Sequence, residues 1–278
     1  MSAQRRMRQP AAASFQVPDS SKADPMAEVE PRRDLLREAW LAAAALTRWI
    51  PSPYPQAAAF AQEHARALVF LPIPGLLMGI ALALCDRALG AVPAPLPRSA
   101  LTIAAAVLFS GGLLPLGFAR TVAALIAGKA AGGTRSIRWC GVVAALLMLA
   151  GEILALAALY RPPARARALV LAMLLSRWAI VPIGYGLRPL EQTGLGIPYF
   201  GGITFVEFGI SSVIALSAAM GLYDVVGLAA IIAVALTILA LRLLMSRRLG
   251  GVGGNELAAG AAACELITIA VLSAISRI

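Results

Sequence analysis

Seven long apolar segments constrain the fold of this chain more than any other feature. They lie at roughly 67–89, 99–119, 139–160, 168–187, 202–222, 225–245 and 257–276. A helix that crosses the hydrocarbon core needs about 20 consecutive, mostly apolar residues. Because lipid offers no partner to backbone N–H and C=O groups, only helices and closed barrels span membranes, and long Ala, Leu, Ile and Val runs favour helices. The sequence therefore predicts an all-α, polytopic membrane protein of about seven transmembrane helices, or six if one segment is re-entrant.

Composition and charge also favour a membrane protein and argue against a nucleic-acid partner. Hydrophobic residues make up 60% of the chain and charged residues only 14%, whereas soluble domains carry about 25% charged residues. The formal net charge is +10, and the arginines stand mostly at the ends of the apolar segments. That placement is typical of the positive-inside bias and of contact with anionic lipid headgroups. We therefore expect the lipid bilayer, not nucleic acid, to be the partner of these basic side chains.

The N-terminal region differs from the rest of the chain. Its first residues are polar and rich in Arg, Ser, Pro and Asp, so they cannot bury enough apolar surface to offset chain entropy. We predict a disordered tail over residues 1–34 and a single integral-membrane helical domain over residues 35–278. Apolar residues between Asp34 and Trp49 recur at helical spacing, which predicts an interfacial helix that ends at the proline run 51–55.

The distribution of basic residues predicts which loops share one side of the membrane. Arginine and lysine are frequent in the tail and in the loops 120–138 and 242–256, which lie on one side in a seven-span arrangement. Cytoplasmic loops carry such an excess, so we predict a cytoplasmic N-terminus. Three further arginines fall on the opposite side and conflict with this arrangement: Arg161, Arg165 and Arg167.

Acidic residues inside apolar segments are the first candidates for a functional site. Glu152, Glu207 and Glu265 each lie within such a segment, where a charge at the bilayer centre costs about 2.5–3.5 kcal/mol on insertion scales. These side chains usually face the bundle interior and pair with a base, and Arg177 and Arg242 are the candidate partners. Two interpretations stay open: a structural ion pair that determines helix register, and a polar site for a substrate or ion.

Glycine clusters at the ends of the apolar segments are a second feature, and the densest is 250–254. Glycine permits positive φ and the close approach of a backbone to a phosphate, but no cluster matches a phosphate-loop or dinucleotide fingerprint. Small residues in membrane helices mostly serve close packing. The glycines alone therefore leave packing and phosphate binding both open.

Several short motifs occur in the order, and at nearly the spacing, of one known family. They are Leu46-Thr47-Arg48 before Pro51 and Pro53; Arg66 before Pro72-x-Pro74-Gly75-Leu76-Leu77-x-Gly79; Ser176-Arg177; Gly194-Leu195-Gly196 with Phe200; and Leu249-Gly250-Gly251 with Gly254-Asn255, Leu257 and Glu265. From residue 36 onwards the chain resembles the cobalamin synthase family. Members of this family are integral membrane enzymes with adenosylcobinamide-GDP ribazoletransferase activity.

The resemblance implies a reaction, a cofactor and a set of site residues. Family members join adenosylcobinamide-GDP to α-ribazole or its 5′-phosphate, release GMP and use magnesium. For this chain it implies a bacterial inner-membrane location, a corrinoid nucleotide substrate, Mg²⁺ as cofactor, and other corrinoid-assembly enzymes as partners. Matching motif positions imply Glu265 and Asn255 as catalytic residues. The implied substrate-binding residues, whose arginines could hold a phosphate bidentately, are Arg66, Arg135, Ser176, Arg177, Gly250, Gly251 and Gly254.

One segment departs from the family and leaves the metal ligands unidentified. The family reads Gly-Gly-x-His-x-Asp-Gly-x-Ala-Asp-x-x-Asp-Gly where residues 111–124 read GGLLPLGFARTVAA. The histidine and the three aspartates are missing, Arg120 replaces one of them, and Asn255 replaces an aspartate of the closing segment. Because carboxylates are the usual protein ligands of magnesium, the family's metal site cannot form here in its usual way.

Three functions therefore stay open. An active ribazoletransferase would need the remaining acids, Glu152, Glu207, Glu256 and Glu265, to rebuild a site. A catalytically inactive corrinoid-pathway paralogue or scaffold would keep the helices and lose the reaction. A small membrane transporter of an anionic solute would use the intramembrane Glu–Arg pairs, although we find no convincing internal repeat in its favour.

Overall fold

The computed structural model of the chain consists of helices in the part that it describes, which is residues 68–128, 134–188, 190 and 203–276. These residues form α1 (Pro72–Ala88), α2 (Pro95–Phe109), α3 (Leu113–Ala127), α4 (Arg135–Ala157), α5 (Pro162–Gly184), α6 (Phe205–Arg248) and α7 (Gly254–Ile275), with short 3-10 turns on both sides of α1. The all-α prediction is confirmed for them. The predicted tail and interfacial helix, Arg66 and the motif 194–200 lie outside the described residues.

Several described helices can cross a membrane by length and composition. Over the described residues there are five: the segment Leu68–Ala91, α4, α5, α6 and α7. The pair α2 and α3 could form a sixth, although the two helices are bent by 85° at the break between them. The prediction of a polytopic helical membrane protein is therefore confirmed.

The predicted span 99–119 is wrong as a single helix. Gly111 and Gly112 follow α2 with positive φ angles of 61° and 74°. The Gly112 N–H donates to the Val107 carbonyl at 2.8 Å and the Gly111 N–H to the Leu108 carbonyl at 2.9 Å, which is the pattern of a Schellman helix ending. Because glycine adopts positive φ without steric cost, the pair ends α2 and lets α3 leave in a new direction.

The long helix α6 contains both predicted segments 202–222 and 225–245, separated at Asp224. This residue has φ 49° and ψ −131°, far from helical values. A β-carbon added to Gly227 would overlap the Ala219 carbonyl oxygen, although residues eight positions apart in a straight helix are separated by about 12 Å. The chain therefore reverses at Asp224, and α6 is a hairpin of two helical limbs.

Helix α5 is the most buried of the long helices. In its apolar window 83% of the residues are buried, against 28% in α4 and 22% in α6. α1 approaches it closely, because Gly75 and Gly79 face the α5 backbone at Met173 and Val170 and leave no room for a side chain. A helix that is apolar all round is typical of a protein interior. Three polar residues of α5 are therefore buried inside the bundle: Arg165, Ser176 and Arg177. Arg167, near the start of the helix, is exposed.

The two basic loops, 120–138 and 242–256, are predicted to lie on one side of the membrane, and the helices that follow them, α4 and α7, start at the same end of the bundle. Gly141, near the start of α4, packs on Ala119 of α3. Gly117 of α3 packs on Ala258, which lies in the second turn of α7. The starts of α4 and α7 therefore both lie beside α3. This agrees with the predicted grouping of the two basic loops on one side.

Candidate functional site

A buried ion pair joins α5 to α7 in the interior of the bundle. The Arg177 Nη1 atom donates to the Glu265 Oε2 atom at 3.0 Å and to the Ser176 Oγ atom at 2.8 Å. The Ser176 hydroxyl donates in turn to Glu265 at 3.5 Å. Arg177 is only 1% exposed and Glu265 only 4%. The predicted pairing of Arg177 with an intramembrane glutamate is therefore confirmed, and Glu265 is the partner.

Glu152 of α4 faces the same group of side chains. It is 3% exposed, and together with Arg177 and Glu265 it lines a cavity of about 20 Å³ whose other walls include Ser110 and Leu114. One water molecule needs about 10–15 Å³ of such volume. The cavity can therefore hold about one water, and it is far too small for a nucleotide or a corrinoid.

The prediction that Arg242 pairs with an intramembrane carboxylate is wrong. Its Nη1 atom donates to the carbonyl oxygens of Pro182, of Ile183 at 3.2 Å and of Tyr185 at 2.7 Å. The last carbonyls of a helix have no partner within it, and a basic side chain can satisfy them. Arg242 thus caps the C-terminus of α5, a role that sequence spacing alone does not indicate.

Glu207 does not lie in the middle of a span, so the prediction that it is an acid in the middle of an apolar segment is wrong. It belongs to the first turn of α6, where its Oε2 atom accepts from the Thr204 N–H at 2.8 Å. The Thr204 hydroxyl accepts from the Val206 N–H at 3.2 Å. This is a capping box. The Thr-x-x-Glu spacing at residues 204–207 was the sequence signal that could have revealed it.

A second polar cluster, which the sequence did not reveal, lies where α1, α2 and α5 meet. Asp86 accepts from Arg165 at 2.6 Å, from Arg98 at 2.7 Å and from the Thr102 hydroxyl at 2.9 Å. Asp86 and Arg165 are each 3% exposed. Arg165 also donates to the Leu156 carbonyl at 2.7 Å. One of the three arginines that conflicted with the predicted orientation is therefore buried and paired, so it is not a free surface charge.

The predicted glycine site forms the turn that leads into α7. Gly250 has a φ of 81°. The Val252 N–H donates to the Arg188 carbonyl at 3.0 Å, and the Val252 carbonyl accepts from the Leu190 N–H at 2.9 Å. Gly254 is buried at the start of the helix. Along α7, Gly254 is about 16 Å from Glu265 at 1.5 Å per residue. The predicted site residues are thus divided between this turn and the buried ion pair, and they do not surround one common space.

Two further predicted residues belong to this end of the bundle. Asn255 is partly buried in the first turn of α7 and packs its backbone carbonyl against Gly117. Arg135 is exposed at the first residue of α4. The starts of both helices lie beside α3. Arg135 is about 25 Å from Glu152 along α4 at 1.5 Å per residue, so it lies away from the interior cluster.

The acids that were expected to rebuild a metal site are dispersed. Glu256 accepts from the Gly253 N–H at 2.9 Å and caps α7, and Glu207 caps α6. Glu152 and Glu265 face a guanidinium, which repels a cation. Among the described residues, no group of three or more His, Cys, Asp or Glu side chains could hold a metal ion. The described part of the chain therefore does not fit a magnesium site made by the protein alone.

The segment that departs from the family pattern is the helix α3. Leu114, at the position of the family's histidine, is 7% exposed and lines the interior cavity. Leu116 and Arg120, at the positions of two aspartates, are exposed. These replacements point in different directions, so a single substitution would not restore a set of converging ligands.

Comparisons with known proteins agree on one family. The family described as "Cobalamin-5-phosphate synthase" matches residues 38–275, a range that contains every described helix. The chain is also 31% identical over 224 residues to "Adenosylcobinamide-GDP ribazoletransferase" of Pseudomonas fluorescens, which covers 76% of this chain and 88% of that protein. No solved structure matches the chain.

Proposed function

Because the chain belongs to the cobalamin-5-phosphate synthase family, we propose that it is a membrane-bound ribazoletransferase of cobalamin biosynthesis. The observation that carries this proposal is the extent of the family match, which runs from residue 38 to residue 275. The substrates are those of the resemblance: adenosylcobinamide-GDP and α-ribazole or its 5′-phosphate. The products are adenosylcobalamin or its phosphate, and GMP.

The reaction is a substitution at phosphorus. A ribose hydroxyl of α-ribazole attacks the phosphorus that carries the cobinamide, a new P–O bond forms, and the pyrophosphate P–O bond breaks. GMP leaves with that bonding electron pair, and the hydroxyl proton passes to a base or to water. The interior cavity of about 20 Å³ cannot admit these substrates, so we place their phosphates at the glycine turn 250–254, near Arg135. In this proposal Ser176, Arg177 and Glu265 support the helices and do not contact substrate.

Magnesium stays a prediction of the resemblance. When bound, it would neutralise charge on the pyrophosphate. The described residues offer no protein-only site for it, and we assign it no step. Removal of divalent ions with EDTA, followed by return of Mg²⁺, measures whether product formation needs it.

The direct test is an assay of the purified full-length protein in lipid nanodiscs with adenosylcobinamide-GDP, α-ribazole and Mg²⁺. We expect cobalamin and GMP to form in equal amounts, measured by chromatography. Arg135→Gln should reduce the rate, because a phosphate loses its guanidinium partner. Arg161→Gln removes an exposed charge just before the start of α5, on the side away from the glycine turn, and should leave the rate unchanged. Equal rates in both variants would contradict the place given to Arg135.

A second candidate is a catalytically inactive corrinoid-binding paralogue or scaffold. It is favoured by the replacements on α3, where Leu116 and Arg120 stand at the positions of family aspartates. In that case the protein binds adenosylcobinamide-GDP in equilibrium dialysis but releases no GMP under any divalent ion. The transporter alternative gains no support from the described residues, because the cavity that the interior acids line has room for only about one water molecule.

We also propose the bacterial inner membrane as the location, with a cytoplasmic N-terminus. The positive-inside bias supports this orientation, since the helices that follow the two basic loops start at the same end of the bundle. Other corrinoid-assembly enzymes are the proposed partners. Co-purification of such an enzyme with the tagged full-length chain, after mild detergent extraction, would test that association.

A further inference from the structure

The interior cluster formed by Glu152, Arg177 and Glu265 has an unequal number of charges. Two carboxyl groups face one guanidinium, and each of the three side chains is 4% exposed or less. Glu265 and Arg177 are the charged groups that act on Glu152. The rest of the cavity wall is formed by uncharged side chains of α2, α3, α4 and α7 and of the turn between α2 and α3. These are Ala, Val, Leu, Met, Pro and Ser side chains. Within the described residues, no second base balances the second carboxyl group.

An unbalanced charge in this place is costly. An isolated ionised carboxylate in an apolar interior costs far more than a hydrogen-bonded neutral group, and buried charges in proteins are paired or neutralised. In membrane helices such groups pair or line water-containing cavities. The second carboxyl group therefore needs one more positive charge, and the small cavity limits which species can provide it.

The cavity has the size and the polar groups for one water molecule. Its volume is about 20 Å³, and a buried water needs about 10–15 Å³ and two to four polar partners. The Nε atom of Arg177 is buried and has no hydrogen-bond partner, so it requires an acceptor. A water oxygen can accept from this N–H and from the O–H of whichever glutamate is in its acid form, and one of its hydrogens can be donated to the carboxylate of the other glutamate.

We propose that the cavity between α4, α5 and α7 is a binding site for one water molecule and one exchangeable proton, which Glu152 and Glu265 share through that water. The proton makes the cluster electrically neutral, with one carboxylate paired to Arg177 and one carboxyl group in its acid form. The water accepts from Arg177 Nε and connects the two carboxyl groups. This site requires no corrinoid, so it is independent of the proposed function.

Infrared spectroscopy of the purified full-length protein in nanodiscs tests the proton. A carboxyl group in its acid form has a C=O stretching band that carboxylates and amides lack, and the band shifts to lower frequency in D₂O. We expect this band at neutral pH in the wild type. It should disappear in Glu152→Gln and equally in Glu265→Gln, because one remaining carboxylate then balances one guanidinium. Glu207→Gln, which changes a helix cap outside the cluster, should keep it.

Opposite results would overturn the proposal. They are a wild-type spectrum without the acid band, or a band that persists unchanged in both Glu152→Gln and Glu265→Gln. If one of the two variants does not fold, the other gives the same test, and the wild-type spectrum alone already decides whether an acid form exists. Arg177→Gln provides a converse check, since the loss of the guanidinium should enlarge the acid band.

The water is tested separately by exchange into D₂O, with and without enrichment in heavy oxygen. The difference spectrum between wild type and Glu152→Gln should contain an O–D stretching band that shifts with the oxygen isotope. Absence of an isotope-sensitive band would remove the water from the proposal and show that the two carboxyl groups share the proton without it.

Discussion

Single buried charges connect distant parts of this chain. Asp86 binds two arginines, of which Arg165 is as deeply buried as Asp86 itself, while the Arg98 side chain is 16% exposed. The Thr102 hydroxyl also donates to this carboxylate. One aspartate side chain thus connects α1 with α2 and α5, and its removal would leave two guanidinium groups without a counter-charge.

Asp86→Asn should therefore lower the stability of the folded protein strongly. Loss of one partner of a buried ion pair typically costs about 3–5 kcal/mol, because an uncompensated charge stays buried. The measurement is the free energy of unfolding from denaturant titration in detergent micelles. Asp224→Asn makes the same chemical change at an exposed residue and should alter this free energy little. Similar losses in both variants would show that Asp86 does not have this role.

Close contacts at glycines determine how the helices pack against each other. A β-carbon at Gly141 of α4 would overlap the Ala119 carbonyl oxygen of α3. Glycines at helix contacts allow such backbone approach in membrane proteins. By contrast, Gly209 of α6 has nothing within 4 Å of its would-be β-carbon, so it does not contribute a helix contact there.

We predict opposite effects of two identical substitutions. Gly141→Ala should destabilise the protein by about 1–3 kcal/mol, the usual cost of overpacking, because α3 and α4 must separate. Gly209→Ala should be neutral or stabilising by up to about 1 kcal/mol, since alanine is the better helix former. Thermal unfolding of both variants in the same detergent checks this. A Gly141→Ala variant as stable as Gly209→Ala would contradict the close packing of α3 on α4.

The ends of the bundle differ in how their basic residues are neutralised. At one end lie the start of α4, with exposed Arg135 and Arg138, and the end of α6, with exposed Arg247 and Arg248. At the other end, Arg165 is buried in its pair with Asp86, while Arg161 and Arg167 are exposed. Because Arg165 is paired, the excess of unpaired positive charge at the end with Arg135 and Arg248 is larger than the sequence suggested. This favours the predicted cytoplasmic placement of that end.

Cysteine labelling of whole membranes tests this topology. In a background without native cysteines, Arg135→Cys and Arg248→Cys should react with a membrane-impermeant maleimide only from the cytoplasmic side. Arg161→Cys, at the start of α5, should react only from the opposite side. The readout is labelling in intact cells compared with inverted vesicles. Labelling of Arg135→Cys and Arg248→Cys from different sides would contradict the common end of α4 and α6.

The sequence by itself determined the membrane class, the helical fold, the approximate positions of the apolar segments and the family. These follow from local and additive properties: lipid leaves a backbone few alternatives to a helix, and apolar length is visible in one dimension. The pairing of Arg177 with Glu265 was also foreseeable in kind, because an intramembrane charge needs an opposite charge.

Only the tertiary structure decided which charges meet and which side chains merely cap a helix. Glu207 and Glu256 have the same residue type as Glu152 and Glu265, yet they accept from backbone N–H groups of helix starts. Asp86 reaches Arg165 across 79 positions of sequence. Such contacts depend on helix rotation and on bends like that at Gly111–Gly112, and periodicity does not record either. The same rotation leaves Leu116 and Arg120 of α3 outside the cavity that Leu114 lines. The sequence showed that the family's ligands are missing, and the structure added that their positions on α3 point in different directions.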